Sequence, residues 1–369
     1  MMRLFGTALA IVLAASGAAH AQGTQTLRAA LEQIPQSVLA SPVPDLAYFI
    51  DIQTALNALD MDSGDDPNVL RQLIGMGRPL EALGFGGRAA WEERAGIGLE
   101  DLDYFAFFGR LPNDIAVWGL GEDERVEALL ADLAARDFVP MGNGEILANG
   151  EPRVPNLQSR DVLDPWRGGV GQASFVLARE DALVQAFAPE LLLGIGGPGA
   201  AQHPVIATAL AGLDAAIGED AIMQAMVVSP MIGLAGPDLA GLLGQSMDEI
   251  RSELEAAMQT DSADLPFYLG GIIADLAGDT PRLAIALTFV DCKTASLGMD
   301  RLASRWSDDM RTVALAMESA AVPGEDGLCA GVVLIEVEET PTVRNPAYFE
   351  IFQSLVRGGV PVLTIGTGA

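Results

Sequence analysis

Most enzyme chemistry is built on residues of which this 369-residue chain has very few. It holds two histidines, His20 and His203; His20 falls in an N-terminal stretch expected to be cleaved, and a zinc site of the usual catalytic type takes two or three, so the single remaining His203 argues against zinc chemistry within one chain. It holds one lysine, Lys293, and no S-x-x-K motif leads to it, which removes a Ser–Lys dyad. The two cysteines, Cys292 and Cys329, lie too far apart for a redox C-x-x-C. Aromatics make up 6% of the chain, with four Trp and four Tyr, which argues against the aromatic-lined grooves common in glycosidases. Positive charge is scarce too: 21 basic residues stand against 50 acidic, a net −29. Such a surface repels phosphate backbones, so nucleic acid is not expected as a partner. Beyond the N-terminus no uncharged apolar run is long enough to span a bilayer, and "FYLGGIIADLAG" is interrupted by Asp275.

The N-terminus is informative. "MMRLFGTALAIVLAASGAAHAQ" runs from Arg3 through an apolar stretch to Ala19-His20-Ala21, the order of a secretory signal peptide cleaved after Ala21. The expected destination is periplasmic or secreted, with no membrane span after cleavage. In an oxidising compartment two cysteines pair by default, so a Cys292–Cys329 disulfide is expected, with two buried free thiols as the other reading. Loop-closure entropy assigns such a bridge roughly 3 to 4 kcal/mol.

Several stretches imitate known sites. "LLLGIGGPGAAQHP" has glycines at 194, 196 and 199 in dinucleotide-binding spacing, but Pro198 offers no N–H to a pyrophosphate and the next helix starts only after Pro204. "GQSMD" around Ser246 lacks the second glycine of a nucleophile elbow, and no histidine follows it. "DMDSGDDPN" (60–68) has Asp65 and Arg71 where a calcium loop needs glycine and glutamate. Met223, Met226 and Met231 among branched apolar residues read as core rather than as a copper(I) site. His203 reads as a polar loop residue and Lys293 as a solvated residue at a helix start. No residue is therefore assigned a catalytic, cofactor or metal role, and no cofactor is expected.

Half of the chain is hydrophobic, enough for a large core. Apolar runs alternate with helix-period segments. "LAYFIDI", "NDIAVWGL", "QASFVLA", "PFYLGGIIADL", "PRLAIALTFV" and "GVVLIEVE" predict strands, and "VPMGNGEILANGE" a hairpin turning at Gly142-Asn143-Gly144. Helices are predicted around Leu27, Leu31 and Ile34, and over "QTALNAL", "GEDERVEALLADLAARDF", "EDALVQAFAPEL", "VIATALAGLDAAI" and "CKTASLGMDRLASRW". A last helix is capped by Asn345, with Pro346 in its first turn, and stops at Gly358-Gly359. An offset of 169 residues lays Pro112 on Pro281, Val126 on Ala295, Leu130 on Met299 and "LAAR" on "LASR", which suggests an internal duplication. The expected fold is α+β, two similar halves of mixed or antiparallel sheet flanked by helices. The expected organisation is a signal peptide (1–21), an N-terminal half (22–193), a glycine-rich linker (194–203) and a C-terminal half (204–369).

The blocks "LRAALEQIPQSV…LAYFIDIQTALNAL", "WEERAGIGLEDLDYFAFFGRLPNDIAVWGLGEDERVEALLADLAARDFVP", "HPVIATALAGL" and "LPFYLGGIIADLAGDTPRLAIALTFVDCKTA" resemble successive blocks of a family of exported or membrane-anchored bacterial proteins without assigned activity. The resemblance implies an α+β extracytoplasmic module and brings no site residues with it. The expected function is that of an exported, non-enzymatic protein that binds a protein partner or small ligand, with a cleft between the halves as the candidate place. A periplasmic solute-binding protein and a carboxylate-dependent hydrolase are the alternatives.

Overall fold

The computed structural model describes residues 23–39, 46–59, 73, 78–110, 113–167, 170–230, 232, 266–357 and 359–366. The expected signal peptide (1–21), the acidic stretch 60–68, Met231 and Ser246 lie outside the described residues. The fold is α+β, and its centre is one twelve-stranded sheet in which every neighbouring pair is antiparallel.

The N-terminal half supplies β1 (Leu46–Asp51), β2 (Tyr104–Gly109), β3 (Ile115–Gly119), β4 (Val139–Met141), β5 (Ile146–Ala148), β6 (Phe175–Ala178) and β7 (Ala182–Ala186). The C-terminal half supplies β8 (Ala221–Val228), β9 (Gly270–Ala277), β10 (Arg282–Phe289), β11 (Ala314–Pro323) and β12 (Cys329–Val337). The spatial order is β11-β12-β10-β9-β8-β1-β2-β3-β7-β6-β5-β4. The halves meet where β1 pairs with β8, Tyr48 opposite Met226 and Ile50 opposite Gln224. Outward from that seam each side opens with three strands in chain order, β1-β2-β3 and β8-β9-β10, so β3 and β10 each stand third. The 169-residue offset carries Ile115, Ala116, Val117 and Trp118 onto Ala284, Ile285, Ala286 and Leu287. Ile115, Val117, Ala284 and Ala286 all point to one face of the sheet, and their alternates point to the other.

Helices cover both faces, which is why β9 and β10 are buried nearly end to end rather than on alternate residues. On the first face lie α1 (Gln25–Gln33), α5 (Pro189–Leu193) and α6 (Pro204–Ile217). Leu27 and Leu31 of α1 join Leu210 and Leu213 of α6 in one core spanning both halves. On the second face each half has its own core. In the N-terminal half, α2 (Ile52–Ala58), α3 (Arg78–Ala95) and α4 (Asp123–Ala135) pack there, and Trp118 stacks between Trp91 and Trp166 at centroid distances of 5.8 and 4.3 Å. In the C-terminal half, Met299 and Leu302 of α7 (Cys292–Asp309) and Ile351 of α8 (Pro346–Val356) pack on Ile285 and Val333. All four tryptophans are thus committed to packing.

Capping follows the local sequence. Asp51, Asp291 and Asn345 accept from the backbone N–H of Thr54, Thr294 and Tyr348, fixing the starts of α2, α7 and α8. The turn between β4 and β5 takes positive φ at Gly142 and Gly144, as "GNG" demands. One segment corrects the expectation. "EDALVQAFAPEL" has helix-favouring residues, yet Ala182–Ala186 is a strand and only Pro189–Leu193 is helical. β7 is paired on both sides, and Leu183 and Val184 fill opposite cores, so tertiary pairing outweighs propensity.

Candidate interaction edge

Among the described residues the twelve-stranded sheet is open, with two edges, and they are unlike. One is β4, three residues long with Pro140 at its centre, a residue that has no N–H to offer. Short edge strands and prolines are the usual protection against unwanted strand pairing. The other edge is β11, ten residues of sequence ALAMESAAVP with one charged side chain, Glu318. Leu315, Ala316, Glu318, Ser319 and Ala320 are exposed along it, and Val313 just before it is 75% exposed.

Alternation in the ladder decides which backbone groups of β11 face outward. The Gly324 N–H donates to Leu328 O at 2.9 Å, so the pair at 324 and 328 turns its groups toward β12. In an antiparallel ladder the direction alternates residue by residue. Val322, Ala320, Glu318 and Ala316 therefore point their N–H and C=O at β12, opposite Ala330, Val332, Leu334 and Glu336. Met317, Ser319 and Ala321 point theirs away from the sheet, and Pro323 adds a carbonyl alone. A β-bulge at Leu315 ends this regular stretch.

Both ends of the edge are held firmly. Before it, Glu350 accepts from the backbone N–H groups of Arg311 and Thr312 at 2.9 and 3.0 Å, and the Trp306 indole donates to Thr312 O at 3.0 Å. After it, the turn at 324–328 leads into Cys329, which is disulfide-bonded to Cys292 with a Cα–Cα distance of 5.0 Å. The expected bridge is present, and it ties the start of β12 to the start of α7 beneath the edge.

The most perturbed carboxyl lies in the interior. Asp275 of β9 is 1% exposed; it accepts from Gln224 Nε2 at 2.9 Å and Asn345 Nδ2 at 2.7 Å, with Arg344 Nη1 at 3.5 Å. Arg344 aims its shorter contacts at Leu276 O and Gly278 O, 2.9 and 2.7 Å away. Burial outweighs the two amide donors and the guanidinium, and pushes the Asp275 carboxyl up to about 6. The cluster joins β8, β9 and the N-terminus of α8, a structural clasp rather than a solvent-facing site.

The other singled-out residues fall in ordinary places. His203 caps α6, its Nδ1 accepting from the Val205 N–H at 3.3 Å. Gly194 caps α5, and Gly199 bridges to Pro35 beside the buried Ala200 and Ala201. Lys293 is exposed in the first turn of α7. Met223 and Met226 point into the cores on the second face. Sequence reasoning missed β11, because Ala, Met and Glu favour helix. The signal that could have exposed it is the span between a helix ending near Asp309 and the strand at "GVVLIEVE", which suits a hairpin partner. Among the described residues no helix is long and apolar enough to cross a membrane, and no group of three His, Cys, Asp or Glu could hold a metal ion. No protein-family model and no curated protein matches the chain.

Proposed function

We propose that this is an exported, non-enzymatic interaction protein that works by receiving a β-strand on the open side of β11. The observation that carries the reading is the contrast between the edges, one closed by brevity and Pro140, the other presenting outward amides at Met317, Ser319 and Ala321. Strand addition to such an edge gives affinity through main-chain hydrogen bonds. The disulfide supports export, since such bridges persist in oxidising compartments. The repeated strand order and the matching faces of β3 and β10 support the reading of the halves as two copies of one unit. Because β1 and β8 join the halves in one continuous sheet, the binding surface proposed lies at the sheet's end and not in a cleft between halves.

The test is titration with a fluorescently labelled decapeptide of alternating Val and Thr as a strand probe. Saturable binding to the wild type that is lost in Ser319→Pro supports the reading. That proline removes an outward N–H and leaves the β12 ladder intact. Equal binding by both proteins, or by neither when the wild type is a single chain, overturns it.

A further inference from the structure

The outward groups of β11 are arranged symmetrically about one residue. Met317 and Ala321 stand two positions either side of Ser319, and all three face away from the sheet. An identical strand laid antiparallel across this edge sets Ser319 opposite Ser319 of the second copy and Met317 opposite its Ala321. The outward N–H and C=O groups of Met317, Ser319 and Ala321 are then paired, in about six hydrogen bonds. Pro323, which lacks an N–H, falls opposite the bulge at Leu315, where the regular ladder already stops.

The side chains suit the same register. Glu318, the one charge on the strand, lies opposite Ala320 of the second copy, so no like charges oppose each other directly. Carried past the strand ends, the register brings the exposed Arg311 of each copy level with the exposed Glu325 and Asp326 of the other. It also brings Val313 and Leu315, 75% and 58% exposed, against the region of Pro323 and its turn. Unlike charges thus lie toward each end of the paired strands. Within one chain, β1 and β8 already join the halves by antiparallel pairing of this kind.

We infer that the occupant of the β11 edge is a second copy of this chain, paired β11 to β11 across a two-fold axis at Ser319. The inference rests on the reading of β11 as a docking edge and names what docks there. The interface is isologous, so it closes at two copies and does not propagate.

Sedimentation equilibrium of the full chain at tens of micromolar tests it, together with two substitutions at the axis. The expected mass is that of two chains for the wild type and of one chain for Ser319→Lys, which sets like charges face to face. Under mild oxidation Ser319→Cys is expected to give a crosslinked dimer on a non-reducing gel, since directly opposed hydrogen-bonded residues place their Cα atoms about 5.5 Å apart, within disulfide reach. Ala320→Cys, whose mate lies off the axis, is expected to crosslink at least tenfold more slowly. A two-chain mass that survives Ser319→Lys, or equal crosslinking from positions 319 and 320, overturns the inference. A single-chain wild type without a Ser319→Cys crosslink also overturns it. If the strand probe still binds that monomer, the edge reading stands and only the occupant is wrong; if the probe fails too, both are wrong.

Discussion

Exchanging Asp275 for an asparagine isolates the contribution of one buried carboxyl to the pH dependence of stability. Asp275 has an ordinary value of 3.8 and is raised to about 6 in the fold. Between these limits the native state binds more protons at this position than the unfolded chain does. Stability from this group is therefore greatest below pH 4, falls as pH rises, and is gone above about pH 6. The whole span, about two units, corresponds to roughly 3 kcal/mol. Between pH 5 and pH 7.5 the same relation leaves roughly 1 kcal/mol. The substituted amide has no charge to bury, and it keeps an oxygen for Asn345 and Arg344 while an amide rotation at Gln224 restores the remaining bond. The assay is urea unfolding of wild type and Asp275→Asn at both pH values, read as the change in their stability difference. The variant should gain on the wild type by that amount as pH rises. Other titrating groups cancel in the comparison. An unchanged difference would show that the carboxyl titrates alike in both states, and the argument from burial would fail.

Three further outcomes follow from the packing. Replacing Cys292 and Cys329 with Ala, or reducing the bridge, should cost about 4 kcal/mol on the loop-entropy estimate, read as a lower urea midpoint; an unmoved midpoint counts against it. Gly212→Ala in α6 should gain up to about 1 kcal/mol in helix propensity. Its new Cβ would sit 2.5 Å from the Ala330 Cβ and 2.9 Å from Val332 Cγ2, so a net loss of about 1 to 2 kcal/mol is expected, and a higher melting temperature would contradict it. Gln185 accepts from the Trp118 indole at 2.9 Å and donates to Pro165 O and Ser174 Oγ. Gln185→Leu strands those groups in the interior, so a loss of about 2 to 4 kcal/mol and an altered near-ultraviolet signal from the Trp118–Trp166 stack are expected; a wild-type unfolding curve would refute that.

Local signals with a single physical reading were legible in the sequence. The disulfide partners were legible because the chain has only two cysteines and its N-terminal pattern led to the expectation of an oxidising compartment. Asn345 and Pro346 marked the start of α8, "GNG" marked the β4–β5 turn, and the period of Val126, Leu129, Leu130 and Leu133 marked the apolar face of α4, on which all but the half-buried Leu130 are buried. These depend on contacts within a few residues, which sequence encodes directly.

Tertiary structure decided the rest. "ALVQA" and "ALAMESAAVP" prefer helix on their own, and they are strands because β3 and β6, or β12, lie alongside to take their hydrogen bonds. The pairing of β1 with β8, which makes two halves one sheet, brings together residues nearly 180 positions apart and leaves no local trace. Asp275 read only as an interruption in an apolar run, since the residues that clasp it, Gln224 and Asn345, come from β8 and from the cap of α8. Which edge stays open among the described residues follows from the same non-local order. Propensity and capping act over one turn of chain, whereas an edge is defined by what is absent beside it, and only the assembled sheet determines that.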